Sequence, residues 1–123
     1  MEVRVVIVDN APELLDRMTG ILRSIDEVHL LKRFEEAVAV VDYVKEHPVD
    51  MVFTDIVMPD ISGIRLAKEL DRVPDPPAVV LMSSIPGFSL EAWKIHAFGF
   101  LEKPCTRAQV MNMIERYRKD NES

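Results

Sequence analysis

The sequence predicts an α/β domain, a doubly wound five-stranded parallel sheet with five helices. Three observations carry that prediction. Short β-branched apolar runs recur along the chain, helical apolar spacing fills the intervals between them, and Gly, Pro and Asp clusters mark each change of period. The organising run is Val49-Asp50-Met51-Val52-Phe53-Thr54-Asp55. A stretch this short and apolar suits a central strand buried on both faces. It stops on an acid, Asp55, at the carboxyl end of the strand, where open parallel sheets keep their ligand sites.

The elements follow in order. Residues 3–8 are a β-branched run that also ends on an acid, Asp9. Asn10-Ala11-Pro12 opens a helix, with Pro in the first turn where a missing N–H costs little. Its Leu14, Leu15, Met18, Ile21, Leu22 and Ile25 share one face. Residues 28–34 read as a second strand and 35–46 as a helix with Val38, Val41 and Val44 on one side, ended by His47-Pro48. After the Asp55 strand, the Pro59-Asp60-Ile61-Ser62-Gly63 turn leads into a short helix over 64–72, and Pro74, Pro76 and Pro77 break the chain. Residues 78–82 form an apolar strand ending on Ser83-Ser84. Pro86-Gly87 is a loop, and Ser89 caps a fourth helix running through His96. Residues 99–102 form the last strand, closed by Lys103-Pro104. Thr106-Arg107-Ala108-Gln109 is a capping box opening a final helix with the apolar face Val110, Met113, Ile114 and Tyr117.

The bulk properties narrow the function. A chain of 123 residues, 48% hydrophobic, is one domain with room for a core. A net charge of −6 argues against a nucleic-acid surface. The densest basic run, Arg116-Tyr117-Arg118-Lys119, sits at a helix end, where cations suit the dipole. Cys105 is single, which excludes an intramolecular disulfide and a cysteine metal cluster. No signal peptide is evident, and no apolar stretch approaches the roughly 20 residues of a membrane span. The expectation is a soluble cytoplasmic domain.

In such a sheet every strand delivers its last residue to one rim. That rim gathers Asp9 with Asn10, Asp55, Ser83 with Ser84, and Lys103. Carboxylates suit Mg²⁺, an aspartate can accept phosphoryl as an acyl phosphate, and a lysine and a hydroxyl can offset charge on the transferring oxygens. Each residue alone has a plainer reading, as turn former, loop start or solvated side chain. Four strand ends carrying compatible types together outweigh those readings.

These residues resemble the receiver domain of bacterial two-component response regulators over nearly the whole chain. The resemblance rests on Val6-Ile7-Val8-Asp9-Asn10-Ala11-Pro12, on Thr54-Asp55-Ile56-Val57-Met58-Pro59-Asp60-Ile61-Ser62-Gly63, on Ser83-Ser84 and on Glu102-Lys103-Pro104. The stretch from Ser89 to Leu101 looks most like receivers paired with LytTR-type or similar transcription output domains. The resemblance implies a flavodoxin-like strand order of 2-1-3-4-5 and a single receiver domain over 1–123, with no output domain in the chain. It makes Asp55 the phosphoacceptor for a sensor histidine kinase. Mg²⁺ would be held by the Asp9 and Asp55 carboxylates, Asn10 and the Val57 carbonyl. Ser83, beside Ser84, would be the hydroxyl that moves toward the phosphoryl group, Lys103 would contact it, Phe100 would swing inward, and the Lys103–Pro104 bond would be cis.

The resemblance also implies output through the fourth helix, fifth strand and fifth helix, where Trp93, Ile95, Phe98, Phe100 and Met111 lie. That face would bind an output domain, a downstream protein or a second copy of the chain, without contacting nucleic acid or membrane itself. Apolar Val57 and Ile85, flanking the path of attacking water, imply a long-lived phosphoryl group. One departure stands out: Asn10 occupies a position where receivers usually carry a second acid. It implies weaker Mg²⁺ binding and slower phosphorylation, together with less repulsion around Asp55. Two other readings stay open: a pseudo-receiver acting as a phosphorylation-independent interaction domain, and a small hydrolase using Asp55 as nucleophile. The hydrolase lacks a second acid at the same strand end, because Asp60 lies beyond the turn.

Overall fold

The computed structural model describes residues 2–85 and 96–122. Five strands form one sheet: β1 (Val3–Val8), β2 (Val28–Phe34), β3 (Met51–Asp55), β4 (Ala78–Ser83) and β5 (Gly99–Glu102). Their order is β2-β1-β3-β4-β5 and every neighbouring pair is parallel. Four helices lie among the described residues: α1 (Pro12–Arg23), α2 (Val38–Glu46), α3 (Gly63–Leu70) and α4 (Arg107–Asp120). The doubly wound architecture and strand order agree with the sequence expectation. The helix expected over 89–96 falls almost entirely outside the described residues, as do Pro86-Gly87, Trp93 and Ile95. Its expected last residue, His96, sits in a turn with a left-handed φ of 59°, a conformation a helix does not continue through.

Strand parity divides the core in two. Val3, Val5 and Ile7 of β1, Met51 and Phe53 of β3, and Val80 and Met82 of β4 pack with Leu15, Met18 and Leu22 of α1 and with Val110 and Ile114 of α4. The alternate residues Val6, Val8, Val52, Val79 and Leu81 pack with Val40 and Val44 of α2 and with Leu66, Ala67 and Leu70 of α3. A strand covered on both faces needs apolar side chains at every position, which is why β1 and β3 read as unbroken apolar runs.

Helices α2 and α3 differ in extent from expectation, and α3 ends at Leu70 rather than at Arg72. Helix α2 starts at Val38, three residues later than its periodicity suggests, and its buried side is Val40 and Val44 while Val38 is 50% exposed. Helix α3 starts at Gly63, because the Ser62 hydroxyl accepts the Arg65 N–H at 3.1 Å and caps it. The capping box of α4 forms as expected, with Thr106 and Gln109 exchanging side-chain-to-backbone hydrogen bonds.

Candidate functional site

Register and parity build the site. The β1–β3 pairing ends at Val8 opposite Thr54, so Asp9 and Asp55 leave the sheet side by side. Both continue the parity of the side chains that face α1 and α4, and so does Lys103, two residues after Leu101. One rim therefore receives two acids and a base from three strands. The Lys103 ammonium donates to Asp9 Oδ2 at 2.7 Å and to Asp55 Oδ2 at 3.1 Å, bridging the two carboxylates. All three side chains are largely removed from water, at 8% exposure for Lys103, 0% for Asp9 and 11% for Asp55.

The remaining carboxylate oxygens are held by backbone. The Ala11 N–H donates to Asp9 Oδ1 at 2.9 Å, and the Val57 N–H donates to Asp55 Oδ1 at 3.3 Å. Burial pushes the Asp55 carboxyl above the usual carboxylate range. The Lys103 charge and hydrogen bond oppose that rise, and the neighbouring Asp9 charge adds to it. Burial acts against the charged form of Lys103, but the Asp9 hydrogen bond and the two carboxylate charges outweigh it and hold the ammonium above its ordinary value. The result is a fixed cation beside a carboxylate more basic than one in water.

The loop after Asp55 is closed tightly on the strand. The Gly63 N–H donates to the Ile56 carbonyl at 2.8 Å, and a Cβ at Gly63 would stand 2.1 Å from the Asp55 carbonyl oxygen. Only glycine fits there.

The other expected site residues occupy distinct places. Ser83 has the opposite parity to Asp55 and is buried at the end of β4. Its hydroxyl accepts the Ile85 N–H at 3.0 Å and does not bond to Asp55 or Lys103. Ser84 is exposed. Phe100 is half-buried on the α2–α3 face, the face that also carries Ser83. Asn10, Val57 and Ile85 are exposed around the rim. The Lys103–Pro104 peptide bond is cis. On the expected output face, Phe98 packs against the core under the Arg116 guanidinium, 3.9 Å from its ring centroid, and Met111 is half-buried.

Among the described residues no group of three His, Cys, Asp or Glu side chains converges as a metal cluster. The rim offers the Asp9 and Asp55 carboxylates side by side, with Asn10 and Val57 exposed beside them. Two adjacent carboxylates are a chemistry that suits Mg²⁺, which takes oxygen ligands and keeps several of its waters.

A family model described as the response regulator receiver domain matches residues 5–115. The chain belongs to that family. Among curated relatives, the positive alginate biosynthesis regulatory protein of Pseudomonas aeruginosa is 30% identical, over 95% of this chain and 48% of its own length. The sensory transduction protein LytT of Bacillus subtilis is 25% identical, over 96% of this chain and 49% of its own. This receiver thus spans less than half the length of the curated relatives it matches. Among solved structures, the response regulatory domain of MrkE from Klebsiella pneumoniae superposes with a TM-score of 0.85 at 20% identity, covering 95% of this chain and 96% of that one.

Asp60 is the residue that sequence reasoning passed over. A turn position accounts for an Asp there, yet its carboxylate accepts the N–H groups of Ala37 and Val38 at 3.3 and 2.8 Å. Those donors lie 23 and 22 residues away and are backbone, so no side-chain pattern announces them.

Proposed function

We propose that this receiver accepts a phosphoryl group on Asp55 from the phosphohistidine of a sensor histidine kinase and so switches a partner or output-domain interaction. The observation that carries this reading is the Lys103 ammonium spanning Asp9 and Asp55 at one buried rim. An Asp55 carboxylate oxygen attacks phosphorus as the P–N bond breaks, and the bonding electron pair leaves with the imidazole nitrogen. A carboxylate made more basic by burial is the stronger nucleophile for that displacement. Lys103 stays protonated and holds a phosphoryl oxygen. Asp9, Asn10, Asp55 and the Val57 carbonyl supply oxygens for Mg²⁺, which when bound offsets charge on the transferring group. Ser83 is proposed to exchange its Ile85 hydrogen bond for one to the phosphoryl group. Its placement on the same face as Phe100 supports a coupled movement of the two.

Catalysis here serves the domain's own modification, not turnover of a substrate. The names of the relatives, a sensory transduction protein and a biosynthesis regulator, support a part in signal-dependent regulation, and the output we propose is a transcription domain of LytTR or similar type. We place the partner on the β5–α4 face with the segment from Trp93 to Phe100, as an output domain, a downstream protein or a second copy. The pseudo-receiver reading draws on one observation, an exposed Asn10 where a third acid would complete the pocket.

Titration of amide spectra with beryllofluoride and Mg²⁺ tests the proposal. Saturable shifts at Asp55, Ser83 and Lys103, abolished in Asp55→Asn, are the expected result. Spectra unmoved at saturating Mg²⁺ would leave the pseudo-receiver.

A further inference from the structure

The N-terminus of α2 has no cap of its own. Ala37 stands at the N-cap position and its methyl group accepts nothing, and the first turn contains no acid. Uncapped helices leave their first N–H groups without intrahelical partners. Here the partner comes from the β3–α3 loop: Asp60 Oδ2 accepts the Val38 N–H at 2.8 Å and Oδ1 accepts the Ala37 N–H at 3.3 Å. The same loop begins at Asp55. The Val57 N–H, three residues before Asp60, donates to Asp55 Oδ1, and the Gly63 N–H closes the far end on Ile56. With no room for a Cβ at Gly63, the loop is pinned at both ends, and Asp60 is its lateral anchor.

We propose that Asp60 is a positioning residue for the phosphoacceptor: its grip on the Ala37 and Val38 amides holds the Val57 amide and carbonyl in place at Asp55, and couples phosphoryl occupancy of Asp55 to the first turn of α2. This rests on the phosphoacceptor reading above. A phosphoryl group formed on Asp55 Oδ1 displaces the Val57 N–H bound there, and one formed on Oδ2 turns Oδ1 into a neutral carbonyl, a weaker acceptor, so either changes the Val57 hydrogen bond. Any shift of Val57 reaches Asp60 through two intervening residues, Met58 and Pro59, the first of them buried and the second fixed in φ. Asp60 then carries it to the α2 amides. The path runs both ways, so loosening the Asp60 grip also frees the Val57 amide that holds Asp55. Val38, half-exposed on that first turn, puts an apolar side chain where the change is read. The switch thereby gains a second responsive surface, on the opposite face of the sheet from α4.

Amide hydrogen exchange on the full chain, with and without acetyl phosphate and Mg²⁺ and with intact mass recorded in parallel, tests this. In the wild-type protein, adduct formation should change exchange at Ala37 and Val38. In Asp60→Ala those two amides should exchange about fivefold faster in both states, the size of a lost helix cap, and the adduct should accumulate more slowly. Asp60→Asn, which keeps one acceptor oxygen, should restore part of both. A wild-type adduct with unchanged exchange at Ala37 and Val38 overturns the coupling and leaves the phosphoacceptor intact. Normal uptake in Asp60→Ala overturns the positioning role. A wild-type protein that forms no adduct overturns the phosphoacceptor reading and the coupling together.

Discussion

Lys103 is the cation that lets two buried carboxylates stand side by side. Its 2.7 and 3.1 Å contacts replace the water that Asp9 and Asp55 lose at the rim. Replacing one partner of such a group leaves uncompensated charge, which costs far more than the intact pair contributes. Lys103→Met should therefore lower unfolding free energy at neutral pH by about 3–5 kcal/mol. The deficit should shrink in acid as Asp55, already raised above the ordinary range, takes up a proton. Urea unfolding at neutral and acidic pH measures both effects. A pH-independent loss would mean that packing of the lysine stem, not its charge, matters. Gly63 makes a sharper steric case. Its missing Cβ would lie 2.1 Å from the Asp55 carbonyl, so Gly63→Ala must move backbone and should cost about 1–3 kcal/mol in the same experiment. Wild-type stability in that variant would show that the loop can yield.

The elements are tied down at both edges of the sheet. At the edge opposite the acidic rim, Asp50, just before β3, accepts the Arg4 backbone N–H at 2.8 Å and two guanidinium hydrogen bonds at 3.0 and 2.9 Å. The Tyr117 hydroxyl of α4 donates to the same carboxylate at 3.4 Å. Burial pushes the Asp50 carboxyl up, but the Arg4 hydrogen bonds and charge, with Tyr117, hold it below the ordinary range. The unfolded chain then takes up this proton at a higher pH than the folded one. Stability from the cluster is complete above the unfolded value of about 3.9 and is lost as pH falls toward the folded one. Asp50→Asn should be less stable at pH 7 by about 1–3 kcal/mol, and the gap should narrow below about pH 4. A gap constant from pH 7 to pH 3 would contradict this. The cap of α4 gives a simpler expectation: Thr106→Ala should lose about 1 kcal/mol, with exchange quickening at Gln109.

At the scale of the molecule, the sheet was legible because each strand announces itself twice, by an apolar run and by the punctuation after it. Asp9, Asp55 and Lys103 could be placed on one rim because parallel strands all end at the same edge. What the sequence hid were contacts set by tertiary geometry. Arg4, Asp50 and Tyr117 lie 46 and 67 residues apart, and the Asp60 cap joins a side chain to backbone amides that carry no residue signature. The buried face of α2 is likewise set by packing on the sheet: Val40 and Val44 are buried and Val41 partly so, while Val38 at the first position is exposed. The Ile85 N–H that the Ser83 hydroxyl accepts is another such contact, set by strand parity rather than by residue type. Strand ends show which groups meet. Parity and capping decide which of them touch.

No helix among the described residues is long and apolar enough to cross a membrane. We propose that the bridged carboxylates make Asp55 a phosphoacceptor despite Asn10. Intact-mass analysis after incubation with acetyl phosphate and Mg²⁺, beside an Asp55→Asn control, tests it most directly. The account predicts one added phosphoryl group on the wild-type chain and none on the control. An unmodified wild-type protein at saturating Mg²⁺, or an adduct that survives in Asp55→Asn, would contradict it.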